Sequence, residues 1–342
     1  MKILITGGTG FVGSNLVINF LNKGNEVIAL DNLSDPTGGA VKNLIYLKNK
    51  FGDKLNFSPA DIRNFEALKK VMKDVDVVIH TAAQTAMTPS IENPREDFEI
   101  NAIGSFNVLE AARQSNSDPI LAYTATNKVY GTLTKDPIPL VEKETRWDYD
   151  KSSKYYNGIT EDYPLDIGGP YGISKCVGDM YFLEYRRTYD MKTFAFRMSA
   201  ICGELQYAIE VHGWVGWILT RAFQNQPINI FGDGKQVRGV LHVADLIRAF
   251  ELAIENIKKT KGHAFNIGGN RENSFSILEL LNFMKKEFGI KPSEIKYVDW
   301  RKIDQKCYIS NNKKAFDYFG WKQAISKEDA VRRMYNWIKG NV

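Results

Sequence analysis

Cysteine and histidine are both scarce. Three cysteines (Cys176, Cys202, Cys307) and four histidines (His80, His212, His242, His263) are spread over 342 residues. The cysteine number is odd and no C-x-x-C pair occurs, so neither a disulfide framework nor a zinc site is indicated. The histidines are equally scattered, and no metal-ligand set emerges. No apolar run approaches the ~18 residues that span a bilayer. The opening stretch 1–7 is apolar but meets glycines too soon for a secretory leader. Charge of one sign is lacking as well: 45 basic against 40 acidic residues leave +5, without a block of either. That balance makes no case for nucleic acid and mildly suits an anionic small ligand. The expectation is a cytoplasmic protein in a reducing compartment, with no metal, no membrane and no nucleic-acid partner.

What is present is ordinary globular composition, 44% hydrophobic and 25% charged. The length suits two domains, or one α/β domain with a smaller lobe. Short β-branched runs over 2–6, 26–31, 55–59, 75–80 and 119–124 predict strands. Between them, 12–22, 41–50, 65–73 and 95–115 predict helices, the last with an apolar stripe of Phe98, Ala102, Phe106, Leu109 and Ala112. Strand–helix alternation implies a doubly wound parallel sheet of Rossmann type, covered on both faces. Residues 132–168 break the pattern and predict a long loop beside an active site. A helix over 171–189 and a strand over 192–198 follow. Beyond them the elements are mixed: helices over 214–225, 244–257, 276–288 and 327–340, and strands over 228–231, 237–242 and 263–267. The expected division is a dinucleotide-binding domain over 1–198, completed by 170–198 after the loop. A smaller mixed α/β lobe over 199–342 binds substrate and returns some segments to the sheet.

Gly7, Gly10 and Gly13 are spaced G-x-x-G-x-x-G at the first strand–helix turn. Glycine there permits a tight turn and close approach of a pyrophosphate, while the helix opening at Phe11 and Val12 offers free N–H groups. Asp31 ends the second strand 18 residues past Gly13, where an acidic group accepts hydrogen bonds from the ribose hydroxyls of NAD and repels the extra phosphate of NADP. Asn32 adjoins it. Asp61-Ile62 after the third strand suits an adenine contact, and Thr81-Ala82-Ala83 after the fourth lets the chain pass close to the cofactor.

Tyr171 and Lys175 lie four residues apart at a helix start, hence on one face. A lysine ammonium there favours the tyrosine phenolate over its ordinary pKa of about 10. The phenol then becomes a usable proton acceptor. Thr126, after the fifth strand, places a hydroxyl to hold a reacting hydroxyl toward Tyr171.

These features stand in the order seen in one family. The glycine triplet, Thr126-Asn-Lys-Val-Tyr-Gly131, Tyr171-x-x-x-Lys175, Val237-Arg238-Gly-Val-Leu-His242, Asn266-Ile-Gly-Gly269 and Phe319-Gly-Trp321 resemble the extended short-chain dehydrogenase/reductases, and the resemblance spans the whole chain. Within that family, Gln84–Ile91, Asp97–Asn101, Thr126–Gly131, Gly213–Trp217 and Gly234–Arg238 look like the CDP-tyvelose (CDP-paratose) 2-epimerases. The resemblance implies an isomerase that inverts a sugar carbon through a transient keto sugar, with NAD as cofactor. Thr126, Tyr171 and Lys175 would be catalytic. Gln84, Thr126, Asn127, Lys128, Trp214, Arg238 and Arg301 would contact a CDP-sugar or other nucleotide sugar. It also implies a homodimer or homotetramer paired through helices around 95–115 and 171–189.

Three departures accompany the likeness. Gly239 follows Arg238 where relatives commonly carry a carboxylate, Ser199–Glu204 (with Cys202) replaces a Tyr-Gly-Gly type ending, and the 132–168 loop is long. Two other readings stay open at this point, a UDP-sugar 4-epimerase and a non-catalytic NAD-binding regulator on the same fold. A 4,6-dehydratase needs an Asp-Glu pair directly after the catalytic threonine, and Asn127-Lys128 stand there instead.

Overall fold

The computed structural model describes residues 1–115 and 117–341. Its strands in chain order are Lys2–Thr6 (β1), Glu26–Asp31 (β2), Asn56–Pro59 (β3), Val77–His80 (β4), Ile120–Thr126 (β5), Leu140–Glu142 (β6), Trp147–Tyr149 (β7), Lys192–Met198 (β8), Ala200–Cys202 (β9), Ile228–Phe231 (β10), Val237–His242 (β11), Ala264–Ile267 (β12), Ser274–Ser276 (β13), Ile295–Val298 (β14) and Cys307–Tyr308 (β15). Seven of them form one parallel sheet in the order β12-β8-β5-β4-β1-β2-β3. The expected doubly wound sheet is therefore present.

Alternation along each strand divides the core into two layers. Ile3 and Ile5 of β1 face one side, with Leu16, Val17 and Phe20 of the helix Phe11–Asn22 and Leu246 and Phe250 of the helix Val243–Glu255. Leu4 faces the other, with Val108 and Leu109 of the helix Gly104–Arg113 and Phe182 of the helix Gly169–Tyr189. Strands buried on both faces read as continuous apolar runs, which is why this half was legible. Full burial of one such side chain contributes about 1.5–3 kcal/mol.

The chain order reverses between β1 and β4: β1, β2 and β3 run outward one way, and β4, β5 and β8 the other. The crevice outside the carboxyl ends of β1 and β4 is the topological switch point, where open α/β sheets bind ligands.

The second lobe has its own core. Val215 and Leu219 of the helix Trp214–Phe223 pack with Leu280 and Met284 of the helix Ile277–Phe288 and Met334 of the helix Lys327–Asn341. A small sheet around β11 borders it, with β9 and β15 parallel to β11 and β13 antiparallel. No helix among the described residues is long and apolar enough to cross a membrane.

Several elements differ from the sequence expectation. The predicted helix over 95–115 is broken: Pro94–Phe98 is helical, Glu99–Ile103 forms a π turn, and Gly104–Arg113 resumes the α-helix. A π turn adds a residue and shifts the phase. The predicted stripe divides accordingly: Ala102, Leu109 and Ala112 are buried, whereas Phe98 and Phe106 face outward. The segment 132–168 is no plain loop. It carries the β6–β7 hairpin, and its Tyr149, Tyr155 and Tyr163 enter an apolar cluster with Tyr130 and Tyr308. These aromatics hid behind charged neighbours, so periodicity failed there. The short strands β9, β13, β14 and β15 and the helices Met87–Glu92 and Lys313–Phe319 also escaped sequence reading, being too short for a period to show.

Candidate active site

The cradle at the switch point follows from its glycines. Gly7 adopts φ +67°, and a Cβ there would lie 2.7 Å from the Ala82 amide nitrogen. A Cβ on Gly13 would lie 1.9 Å from the Gly7 carbonyl oxygen. Only glycine lets these segments touch. Gly10, the N-cap of the helix Phe11–Asn22, supplies no side-chain cap, so the N–H groups of its first turn stay available. The buried hydroxyls of Thr9 and Ser14 have no hydrogen-bond partner among the described residues. Free amides, unsatisfied hydroxyls and a positive dipole end fit the diphosphate of a dinucleotide.

Asp31 is the last residue of β2. Its carboxylate accepts from the Thr9 amide (3.1 Å) and the Leu33 amide (2.8 Å), which orient it at the end of β2. Asn32 donates to Asp61 at 2.8 Å. The Arg63 guanidinium holds the Asp61 carboxyl down at about 2. Ile62 is buried against Gly104. Thr81 bonds the Thr6 carbonyl at 2.7 Å, and the Ala82 amide donates to the Thr6 hydroxyl at 3.3 Å, with Ala83 following on the same edge. Beneath them, His80 sits between the hydroxyls of Thr6 (2.6 Å) and Ser105 (3.0 Å). Burial drives His80 down to about 3, so it is neutral and braces β1 against the neighbouring helix.

The second group gathers around the helix Gly169–Tyr189. Thr126 ends β5, which runs two residues past its predicted end, and its hydroxyl accepts from the Lys128 amide at 3.2 Å. Burial pushes the Tyr171 phenol up to about 12, while Thr126 beside it pulls the other way. Burial pushes Lys175 down to about 7 against the opposing carboxylates of Asp97 and Asp179. Its ammonium lies 4.4 Å from the centre of the Tyr123 ring. Burial sets the direction of both shifts.

The third group is cationic. Lys128 and Arg238 both donate to the same oxygen of Asp304, at 3.0 and 2.6 Å. Arg301 stands 4.0 Å from the centre of the Phe231 ring and donates to the Glu210 carbonyl at 2.7 Å. The cations around it hold the Asp304 carboxyl far below the usual range, with Arg238 the largest cause acting against burial. Burial lowers Arg301, and Arg238 beside it lowers it further. Three cations converge where one carboxylate serves two of them, an arrangement suited to phosphate oxygens.

Not every predicted substrate residue points into this group. Gln84 folds onto its own loop, with both ends of its amide bonded to Ala86 (2.9 and 3.1 Å), because the chain must turn there. Asn127 is turned to Gln305 at 3.0 Å, and Gln305 in turn holds the Gly131 carbonyl at 2.6 Å. Trp214 packs on the second-lobe core, with its indole N–H buried and unbonded among the described residues.

The Gly239 departure has a steric cause: a Cβ there would lie 1.9 Å from the Gly269 carbonyl oxygen, so no side chain fits. Arg238 is braced by Asp304 and by the Val237 carbonyl (2.7 Å), with no carboxylate at 239. Cys202 is buried and pushed up to about 12, an inert thiol.

Four residues had no site role in the sequence reading. Asp304 and Gln305 follow Arg301 by three and four residues, without a pattern to set them apart. Asp97 and Asn101 sit four apart, a helical spacing that was the available signal. Asn101, inside the π turn, donates to the Gln84 carbonyl (3.0 Å), Asp97 (3.0 Å) and Ser174 (3.1 Å). It ties the β4 edge to the helix that carries Tyr171 and Lys175.

Comparisons with known proteins agree with this geometry. The NAD dependent epimerase/dehydratase family matches residues 3–268. The chain is 40% identical to CDP-paratose 2-epimerase of Salmonella typhi, over 98% of this chain and 99% of that one. It superposes with a TM-score of 0.83 on UDP-glucose 4-epimerase of Thermotoga maritima solved with UDP-glucose, at 28% identity and 99% coverage of both chains. UDP-glucuronic acid 4-epimerase of Bacillus cereus, solved with UDP-glucuronic acid and NAD, gives a TM-score of 0.83 at 25% identity and full coverage of both chains (100%). Most of the chain, from the first strand through Gly268, thus carries the family's pattern on the family's fold, and the protein belongs to the NAD dependent epimerase/dehydratase family.

Proposed function

We propose that this protein inverts C2 of a CDP-linked deoxyhexose, converting CDP-paratose to CDP-tyvelose. The observation that carries the reading is the 40% identity to a CDP-paratose 2-epimerase along essentially the whole of both chains. The residues after Thr126 add a chemical argument. Asn127 and Lys128 offer no carboxylate pair, so elimination of water lacks its acid and base.

The chain's tasks are orientation and proton transfer. When bound, NAD⁺ would supply a two-electron acceptor for a hydride from C2, and its reduced form a hydride for the return. Tyr171 accepts the proton of the 2-hydroxyl and later gives it back. Thr126 holds that oxygen toward the phenol, and Lys175 stabilises the phenolate across one helical turn. Asp31 selects NAD at the ribose. Lys128, Arg238 and Arg301 neutralise the diphosphate. Because the chemistry at carbon belongs to the cofactor, the protein's contribution is alignment and charge.

The test is to incubate the purified protein with CDP- and UDP-sugars in deuterated water and locate the inverted carbon by NMR. Inversion at C2 without solvent deuterium on that carbon is expected. Inversion only at C4 would overturn the assignment in favour of a 4-epimerase. Deuterium on C2 would replace hydride return with carbon deprotonation.

A homodimer, or a tetramer built from it, belongs to the same reading. Phe98, Ile103 and Phe106 of the broken segment 94–113 and Ile173, Met180 and Tyr181 of the helix Gly169–Tyr189 are exposed. A contiguous apolar surface of this kind marks an interface. Ile173→Glu is expected to shift the protein to monomer in light scattering; unchanged mass would remove that surface from the interface. A cytoplasmic location is proposed on the three free, buried cysteines, which suit a reducing compartment.

A further inference from the structure

We infer that Trp147 is a positioning residue. It fastens segment 132–168, which leaves from the Thr126 turn and returns to the Tyr171 helix, onto the strand that carries Arg238. It thereby sets the offset between the second lobe's phosphate-binding arginine and the phenol. This deepens the 2-epimerase reading and rests on it.

Segment 132–168 is closed at its base. Gly131 follows the 3₁₀ turn Asn127–Tyr130, and Gly168 is the N-cap of the helix Gly169–Tyr189. The two ends are zipped together. The Asp166 amide donates to the Val129 carbonyl at 3.2 Å, and a Cβ on Gly131 would lie 1.7 Å from the Asp166 carbonyl oxygen. The base is therefore continuous with the elements that hold Thr126 and Tyr171.

Its tip reaches the second lobe. Trp147, half-buried on β7, donates its amide to the Lys235 carbonyl at 2.8 Å and its indole N–H to the Asp233 carboxylate at 2.8 Å. The Lys306 ammonium lies 4.0 Å from the centre of one of its rings. Lys235 precedes Arg238 by three residues, and the Lys306 carbonyl accepts from the Val237 amide at 2.9 Å. One side chain thus grips both the stretch leading into β11 and the residue bonded beside it. Tyr149 extends the grip: its hydroxyl donates to the carbonyl of Cys307, the register partner of Val237, at 3.1 Å.

The place of Arg238 on its strand gives this grip its effect. The far end of β11 runs into the helix Val243–Glu255, whose Leu246 and Phe250 pack on the main sheet, so the His242 end is fixed. Arg238 stands four residues earlier, about 13 Å away at the rise of a strand. A small tilt about the fixed end is largest there, at the end that Trp147 ties back to the base of the segment. A diphosphate on Arg238 carries its sugar with it, and a misplacement of about 1 Å at the reacting carbon can cost about 10²-fold in rate.

The bland alternative is a brace that only stabilises the fold. The two are separable on the NAD-loaded enzyme, because CDP needs the second-lobe cations alone, whereas turnover also needs the offset from Tyr171. Trp147→Ala is expected to lower kcat for C2 inversion about 10–100-fold, with CDP affinity by calorimetry within about threefold of wild type. Trp147→Phe keeps a ring for Lys306 and the backbone bond, and should recover most of the rate. Asp148→Asn loosens the same tip at Arg271, which bonds both carboxylate oxygens at 2.7 Å, and should show the same split. It takes the place of Trp147→Ala if that variant does not fold. Wild-type kcat in the folded variant, or a loss of CDP affinity as large as the loss of kcat, would overturn the inference. A wild-type enzyme that inverts another carbon sinks the parent reading. A wild-type enzyme that inverts C2, beside a Trp147→Ala variant of undiminished rate, sinks this inference alone.

Discussion

Tyr171→Phe is expected to lower kcat for epimerisation about 10³-fold, within the 10²–10⁴ range of a positioned acid–base group, while leaving KM and NAD binding within a few-fold. The substitution deletes one oxygen from a ring held by its helix, whose start is pinned by the Tyr171 amide on the Ser90 hydroxyl at 3.2 Å. The proton acceptor disappears, and the packing stays. Lys175 is a poorer target. It is buried beside Asp97 and Asp179, and removing the ammonium leaves the Asp97 carboxylate without a neighbouring cation while Asp179 keeps Arg197. A Lys175→Met protein would lose stability and activity together, whereas Tyr171→Phe separates them. Steady-state kinetics and a dinucleotide titration give the readout. Retention of more than a tenth of the rate would remove Tyr171 from the proton path, and absence of turnover in the wild type, with NAD still bound, would favour a binding protein over an enzyme.

Arg197→Met should cost about 3–5 kcal/mol of stability, the range for a buried pair stripped of one partner. Arg197 reaches Asp179 through two nitrogens, at 3.0 and 2.7 Å, and Asp179 is wholly buried. The same guanidinium donates to the Tyr130 hydroxyl at 3.1 Å, which donates onward to Asn266 at 2.8 Å. This network joins β8, β12 and the Tyr171 helix behind the active site. Losing the arginine leaves an uncompensated carboxylate in low dielectric. Denaturant unfolding with an unchanged m-value would register the loss. Arg197→Met combined with Asp179→Leu should regain part of it, because the stranded charge is then gone. A single-variant loss below ~1 kcal/mol would show that water reaches the site, contrary to the burial seen here.

The parallel sheet and the nucleotide cradle were readable from residues alone. Gly7, Gly10, Gly13 and Asp31 belong to one continuous βαβ unit, whose spacing is set by chain geometry. Tyr171 and Lys175 were likewise paired by one helical turn. The long segment 132–168 was read only as a loop, because Tyr149, Tyr155 and Tyr163 find their apolar partner in Tyr308, more than a hundred residues away. Phe98 and Phe106 were assigned to the core stripe, and a π turn that no local pattern announced turned them outward.

Within the site, the amino-acid order by itself determined which residue types line the first strand–helix turn and which phenol and ammonium share a helix face. Tertiary structure alone decided the cation cluster, since Lys128, Arg238 and Asp304 come from three distant stretches and meet at one oxygen. It alone explained Gly239, whose missing side chain answers to the Gly269 backbone. It also set the burial that pushes the Tyr171 phenol up and the Lys175 ammonium down. Local order fixes spacing along a helix or a turn, whereas desolvation and long-range charge depend on what the remainder of the chain brings near.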